Sequence, residues 1–320
     1  MTVPAAIRWE GSRLWLLDQR KLPETVVYEE QTSAEMVAAS IASMKVRGAP
    51  AIGIAAAYGM ALAVRAGGDL AKAARVLVAA RPTAINLAWA VNRVLRANDP
   101  VAQAETIHRE HTEMCRAIGA NGMGLITENS AVLTHCNAGA LAVSTLGTAT
   151  APLYLAHDAS VRFTVFVDET RPLLQGARLT AWELLQAGLD VTLICDSMVS
   201  HLMSQGDIDL VIVGADRVTA NGDVVNKIGT RGIAIASRYH GVPFHVALPS
   251  STFDADTATG ADVDIEQRDA SEVTESIRAA PGVQVQNPAF DVTPAELVTS
   301  WITDRGRIQD ARDLAGLKQP

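Results

Sequence analysis

The spacing of apolar positions changes part-way along the chain. Between Thr32 and Ile118 they recur at helical intervals. Val37, Ile41 and Met44 stand at i, i+4 and i+7. Leu87, Val91 and Val94 mark a second helix face, and Ile107, Met114 and Ile118 a third. Thr32 and Glu35 have the spacing of a capping box, and Thr83 is placed to cap the second helix. From Ala131 onward, short apolar runs rich in β-branched residues take over, at 131–135, 161–167, 191–195, 210–213 and 244–248. Helical pieces around 138–144, 177–186, 198–204 and 233–239 separate them. Continuous apolar strands alternating with helices predict a parallel sheet covered on both faces. The pattern therefore predicts an α/β protein: a mainly helical domain over 1–120, then a mainly parallel sheet domain over 121–320. The two meet near the glycine-rich stretch 119–124, and the polar segment 254–282 reads as a surface loop.

Composition narrows the function. A length of 320 residues suits two domains at roughly 150 residues each. With 48% hydrophobic residues the chain is not a disordered one. Lys plus Arg number 27 against 35 Asp plus Glu, a net charge of −8, which disfavours nucleic acid and anionic membrane surfaces as partners. Cys115, Cys136 and Cys195 form no CxxC pair, so neither a disulfide framework nor a zinc ribbon is indicated. The longest apolar run, 49–64, contains Pro50, Gly53 and Gly59 and is too short to span a bilayer; charges interrupt the N-terminal apolar stretch. These features predict a soluble cytoplasmic protein.

In an open parallel sheet, chemistry gathers outside the carboxyl ends of the strands. The ends of the five runs carry Cys136-Asn137, Asp168-Glu169-Thr170-Arg171 with Gln175-Gly176, Asp196-Ser197, Asp216 with Asn226-Lys227, and Ser250-Ser251-Thr252. A lone cysteine is by default a small buried apolar residue. Cys136 stands between a strand and a predicted helix start, where the helix dipole favours a thiolate. Asp216 follows an apolar strand, where desolvation raises a carboxyl pKa and suits a general acid or base; capping the next element is the ordinary alternative. In the helical half, Arg47-Gly48-Ala49-Pro50 combines a cation with a glycine turn opening a helix, an anion-cradle pattern. Arg81 precedes another helix start. Neither a Walker A loop nor GxGxxG stands in the right context, which disfavours ATP and NAD. His108, His111 and Cys115 share a helical spacing, but the charged residues around them suggest an exposed helix face rather than a metal site.

Long strings place these residues in a known context: VRGAPAIGIAAAYG, RPTAINLAWA, LTHCNAGALA, VDETRPLLQGARLTAWEL, CDSMVSHLM, GADRVTANGDVVNKIGT and NPAFDVTPAEL. Together they cover the chain almost end to end. The sequence strongly resembles the aldose–ketose isomerases of methylthioribose 1-phosphate, enzymes of methionine salvage related to regulatory subunits of the initiation-factor exchange complex. The resemblance implies Cys136 and Asp216 as the catalytic pair. It implies Arg47, Gly48, Ala49, Arg81, Gln175, Asn226 and Lys227 as contacts to a small phosphorylated pentose. It also implies a Rossmann-like second domain, a homodimer, and no cofactor or metal. Two features depart from the pattern: a shorter helical half, and the segment Ser144-Thr145-Leu146-Gly147, where a tyrosine is usual. Both bear on the pocket for the 5-substituent. Relatives of this kind act on 5-deoxyribose 1-phosphate or ribose 1,5-bisphosphate, or bind such ligands without turning them over.

Overall fold

A computed structural model describes residues 3–81, 84–143, 145–275 and 277–317. Contacts divide the chain into two compact units, one of residues 2–116 with 139–147, the other of 117–138 with 148–320.

In the first unit, helical periodicity begins only at Thr32, and the residues before it form an antiparallel sheet. Its strands are β1 (Ile7–Glu10), β2 (Arg13–Leu17) and β3 (Tyr28–Gln31). Gly11 and Ser12, both at positive φ, close the first hairpin between Glu10 and Arg13. Helix α1 (Ala34–Ala42) is capped by Ser33, whose hydroxyl accepts the Met36 N–H at 3.2 Å, and not by Thr32. Met44 lies beyond this helix at φ 59°. Helices α2 (Ala49–Arg65), α3 (Leu70–Ala79), α4 (Ile85–Leu95) and α5 (Pro100–Gly122) follow. α2 is buried from Ala51 to Leu62, and its small residues let neighbours approach closely. A Cβ on Gly53 would lie 2.9 Å from the Asn86 carbonyl. Leu87, Val91 and Val94 are fully buried, as their spacing predicts. Thr83 lies outside the described residues.

His108, His111 and Cys115 face inward on α5, correcting the exposed face expected of them. His111 and Cys115 are buried, Tyr58 Oη lies 3.0 Å from His108 Nδ1, and Trp89 meets His111 edge-on. Of the surrounding charges, Arg109 and Glu113 are exposed, and Glu110 pairs with Arg93 of α4.

The second unit contains a seven-stranded sheet. Its strands are β4 (Ala131–Thr134), β5 (Thr164–Asp168), β6 (Asp190–Ile194), β7 (Leu210–Val213), β10 (Phe244–Ala247), β13 (Ser300–Thr303) and β14 (Gly306–Ile308). The order is β14-β13-β10-β7-β4-β5-β6, parallel except for β14. The five predicted apolar runs are β4, β5, β6, β7 and β10. A smaller sheet, unforeseen in the sequence, joins β8 (Arg217–Thr219), β9 (Val224–Lys227), β11 (Phe253–Asp254) and β12 (Phe290–Thr293). Helices α6 (Ala151–Asp158), α7 (Ala181–Gln186), α8 (Val199–Gln205), α9 (Thr230–His240) and α10 (Ser271–Thr274) complete the unit.

The stretch 119–124 is no loop, since α5 continues to Gly122. A Cβ on Gly119 would come within 2.7 Å of Leu155, and one on Gly122 within 2.7 Å of Pro152. These glycines serve close packing, which a composition-based boundary misreads as a turn. Over the described part of the predicted helix at 138–144, residues 138–143, only a 3-10 turn, Ala140–Ala142, forms. Among the described residues, no helix is long and apolar enough to cross a membrane.

Candidate active site

The end of β4 is held in an unusual conformation. Cys136 is buried at φ +60°, a region costly for a side chain with a Cβ. Both of its backbone polar groups are engaged. Its N–H donates to Thr170 Oγ1 at 2.8 Å, and its carbonyl accepts from the Thr180 hydroxyl. Asn137 Nδ2 donates to Thr180 Oγ1 at 3.0 Å and to Glu183 Oε2 at 3.2 Å. Glu183, fully buried, also accepts the Tyr154 hydroxyl at 3.1 Å. Hydrogen bonds to the segment after β5 and to the helical turn before α7 thus fix the cysteine backbone from both sides. This corrects the helix-dipole argument: no α-helix starts beside Cys136, and the conformation comes from this clamp.

Thr170, one side of the clamp, sits at φ +59°. Its hydroxyl donates to Asp168 Oδ1 at 2.7 Å. Asp196 accepts the N–H groups of Thr170 at 2.8 Å and Arg171 at 2.7 Å. The tight return of the chain after β5 requires Gly176, where a Cβ would lie 1.8 Å from the Asp168 carbonyl oxygen. Gly176→Ala is therefore expected to destabilise the protein by at least about 1–3 kcal/mol, the range for forced overpacking. A urea midpoint equal to that of the parent would refute the close approach.

His135, Asp168 and Asp196 bring potential ligand atoms within 4.8 Å of one another. Their donor atoms are already taken up by hydrogen bonds to one another, to Thr170, to the Arg171 N–H and to the Ile228 carbonyl. The geometry is that of a hydrogen-bonded network rather than an open chelate.

Asp216 leaves the carboxyl end of β7, the strand paired with β4. Its N–H donates to the Val225 carbonyl at 2.9 Å, which fastens it to β9. Its position is exposed, which corrects the buried setting expected from the preceding apolar strand. Asn226 and Lys227 end β9. Asn226 Nδ2 donates to Thr230 Oγ1 at 3.0 Å, and Lys227 Nζ donates to the Ala289 carbonyl at 2.9 Å while lying 4.6 Å from the Phe290 ring centre. Gln175 is buried, with no hydrogen-bond partner for Oε1; the Ser251 hydroxyl beyond β10 shares this property. Buried polar atoms of this kind are suited to meeting ligand hydroxyls.

Cys136, Asp216, Gln175, Asn226 and Lys227 all belong to the sheet unit, whereas Arg47, Gly48, Ala49 and Arg81 belong to the helical one. There Gly48, at φ +89°, precedes α2 and leaves its first turn without a side-chain cap. A Cβ on Gly48 would lie 2.5 Å from the Ala142 carbonyl. An uncapped helix start beside a cation is the arrangement that binds anions. Arg81 is half-buried in the connection between α3 and α4. Pro82, Thr83 and Ser144 lie outside the described residues.

The sequence matches the initiation factor 2 subunit family over residues 45–310. The chain belongs to that family. It is 52% identical to a methylthioribose-1-phosphate isomerase of Chloroflexus aurantiacus, over 97% of this chain and 96% of that protein. It is 50% identical to a 5-deoxyribose 1-phosphate isomerase of Moorella thermoacetica, over 95% and 94%. Among solved structures, the 5-methylthioribose 1-phosphate isomerase of Pyrococcus horikoshii superimposes with a TM-score of 0.91 at 40% identity, covering 98% of this chain and 95% of that one.

The isomerase resemblance seen in the sequence strings is thus the one carried by its near relatives. Family membership also focuses attention on residues that local spacing left unnoticed. His135 has partners 33 and 93 residues away, and Asp291 accepts the N–H groups of Gly229 at 2.8 Å and Arg231 at 3.1 Å. Both carried a signal from the quoted strings, His135 inside LTHCNAGALA and Asp291 inside NPAFDVTPAEL.

Proposed function

We propose that the protein is an aldose–ketose isomerase converting 5-methylthioribose 1-phosphate to 5-methylthioribulose 1-phosphate, a step of methionine salvage. The observation that carries this reading is the pairing of a backbone-clamped Cys136 with Asp216 at the carboxyl ends of two adjacent parallel strands. The names of the near relatives support the same substrate class.

The chemistry must solve a particular problem. Phosphate on the anomeric carbon prevents ordinary opening of the ring to a free aldehyde. Asp216, solvent-accessible and fixed by its backbone, donates a proton to the ring oxygen as its bond to C1 breaks. The C2 hydrogen then moves to C1, and the C2 hydroxyl gives its proton to the Asp216 carboxylate to become the ketone, which restores the acid. The transfer occurs either as a hydride, with its electron pair, or as a proton through an enolic intermediate that is reprotonated at C1. Cys136 handles the hydrogen at C2 or stabilises the charge that develops there. Arg47, Arg81 and Lys227 hold the phosphate, the Gly48–Ala49 turn presents backbone N–H groups, and Gln175 and Asn226 orient hydroxyls.

Turnover of methylthioribose 1-phosphate followed by ³¹P NMR tests the reading, and no conversion by folded protein would leave a binding-only subunit. The Moorella relative favours a second substrate, 5-deoxyribose 1-phosphate, to be run in parallel. Substrate deuterated at C2 separates the routes: retention of label at C1 marks a hydride shift, and washout marks a proton.

A homodimer formed through β6 belongs to the same proposal. β6 is the outer strand of the large sheet, and Leu193 on it is 53% exposed, close in sequence to Leu185 at 54% and Met198 at 46%. An apolar sheet edge left open invites pairing with a second copy. Leu193→Lys is expected to shift the protein to monomer in light scattering; an unchanged mass would place the interface elsewhere.

A further inference from the structure

The buried imidazole of His135 is committed at both nitrogens. Nδ1 lies 2.6 Å from Asp168 Oδ2, and Nε2 lies 3.0 Å from the Ile228 carbonyl oxygen. A carbonyl only accepts, so Nε2 carries a hydrogen. Asp168 Oδ1 is occupied by the Thr170 hydroxyl, whose oxygen in turn receives the Cys136 N–H. A second hydrogen, on Nδ1, lets the ring donate to Asp168 Oδ2 as well. Burial pushes the imidazole pKa down. The charge and hydrogen bond of Asp168, the charge of Asp196 and the Ile228 carbonyl outweigh it, leaving the value above the usual range. Asp291 is a further negative group acting on the ring, while Cys136 adjoins it in the chain.

The two ends of this pair belong to different parts of the site. Through Asp168 and Thr170 it reaches the Cys136 backbone. Through Ile228 it reaches the turn that follows Asn226 and Lys227. In that turn Gly229 has φ +107°, and a Cβ there would lie 3.0 Å from His135 Cε1. The ring is therefore seated against the turn itself. Asp291 holds the same turn from its N–H side, through Gly229 and Arg231.

We propose that His135 is a positioning residue, tying the cysteine-bearing strand end to the anion-holding turn so that Cys136 and Lys227 keep a fixed separation. The proposal rests on the isomerase reading and adds to it a residue that acts through others.

Two measurements on the full chain test it. The first compares wild-type protein with Asp168→Asn and His135→Gln, using methylthioribose 1-phosphate. Loss of registration between the two halves of a site acts on binding and chemistry together. In folded variants kcat should fall, and KM rise, by about 10-fold or more each. Folded variants that lose thermal stability yet keep both constants within about twofold of wild type would overturn the proposal and leave His135 a structural residue. The second needs no variant: a ring-¹⁵N-histidine NMR titration of wild-type protein should show His135 losing its second ring proton at a higher pH than an ordinary imidazole. Loss of that proton at or below the ordinary range would overturn it as well. Wild-type turnover checks the isomerase reading separately, because the ring spectrum is independent of it.

Discussion

Asp216→Asn is expected to lower kcat at least about 100-fold, the low end for removal of a general acid or base. The amide keeps the size and hydrogen-bonding shape of the carboxylate but cannot exchange its proton. The Asp216 backbone, fastened to Val225, stays where it is, and an exposed side chain adds little to stability. Cys136→Ser should cost at least as much. Serine retains a small polar group at the clamped position but has a far higher pKa than a thiol, and the Thr170 and Thr180 bonds to its backbone do not depend on the side chain. The double variant should be little worse than the poorer single one, because groups that act as a unit are not additive. Steady-state kinetics with circular dichroism on the same samples decides the matter. Near-parental turnover in either folded single variant removes that residue from the mechanism.

The second large effect concerns the phosphate. Lys227→Met keeps the stem beside Phe290 while deleting the charge, and Arg47→Ala and Arg81→Ala delete a guanidinium each. A charge-assisted contact to an anion is worth about 1.5–3 kcal/mol, which is about 10- to 150-fold in affinity. Each variant should therefore raise KM by roughly that factor with a smaller effect on kcat. If all three instead lost rate at unchanged KM, phosphate anchoring would have to be assigned to other groups.

Five strands of the central sheet were legible as apolar runs, and two inner ones, β7 and β10, are buried at every position. The sheet of β1 to β3 was not, since its strands are four or five residues long and carry charges such as Arg13 and Glu30 on their outer face. The sheet of β8, β9, β11 and β12 escaped for another reason: Asn226 faces Asp291 across a gap of more than sixty residues, and no local pattern reports so distant a pairing. Cys136 and Asp216 could be named from strand ends and family strings. The hydrogen bonds that give Cys136 its conformation could not, because Thr170 and Thr180 look like ordinary helix and turn residues until the chain folds back at Gly176. The partners of His135 were hidden by the same logic.

The short stretch after Cys136 has a consequence for recombining this protein with its relatives. Residues 139–147 belong to the helical unit, where Gln19 Nε2 donates to the Leu141 carbonyl at 2.8 Å and Gly48 lies against Ala142. A chimera made by a single crossover after residue 116 would combine one parent's Gln19 and Gly48 with the other parent's Leu141 and Ala142. Functional hybrids should therefore demand two further junctions, flanking 139–147, so that this nine-residue graft travels with the amino-terminal parent.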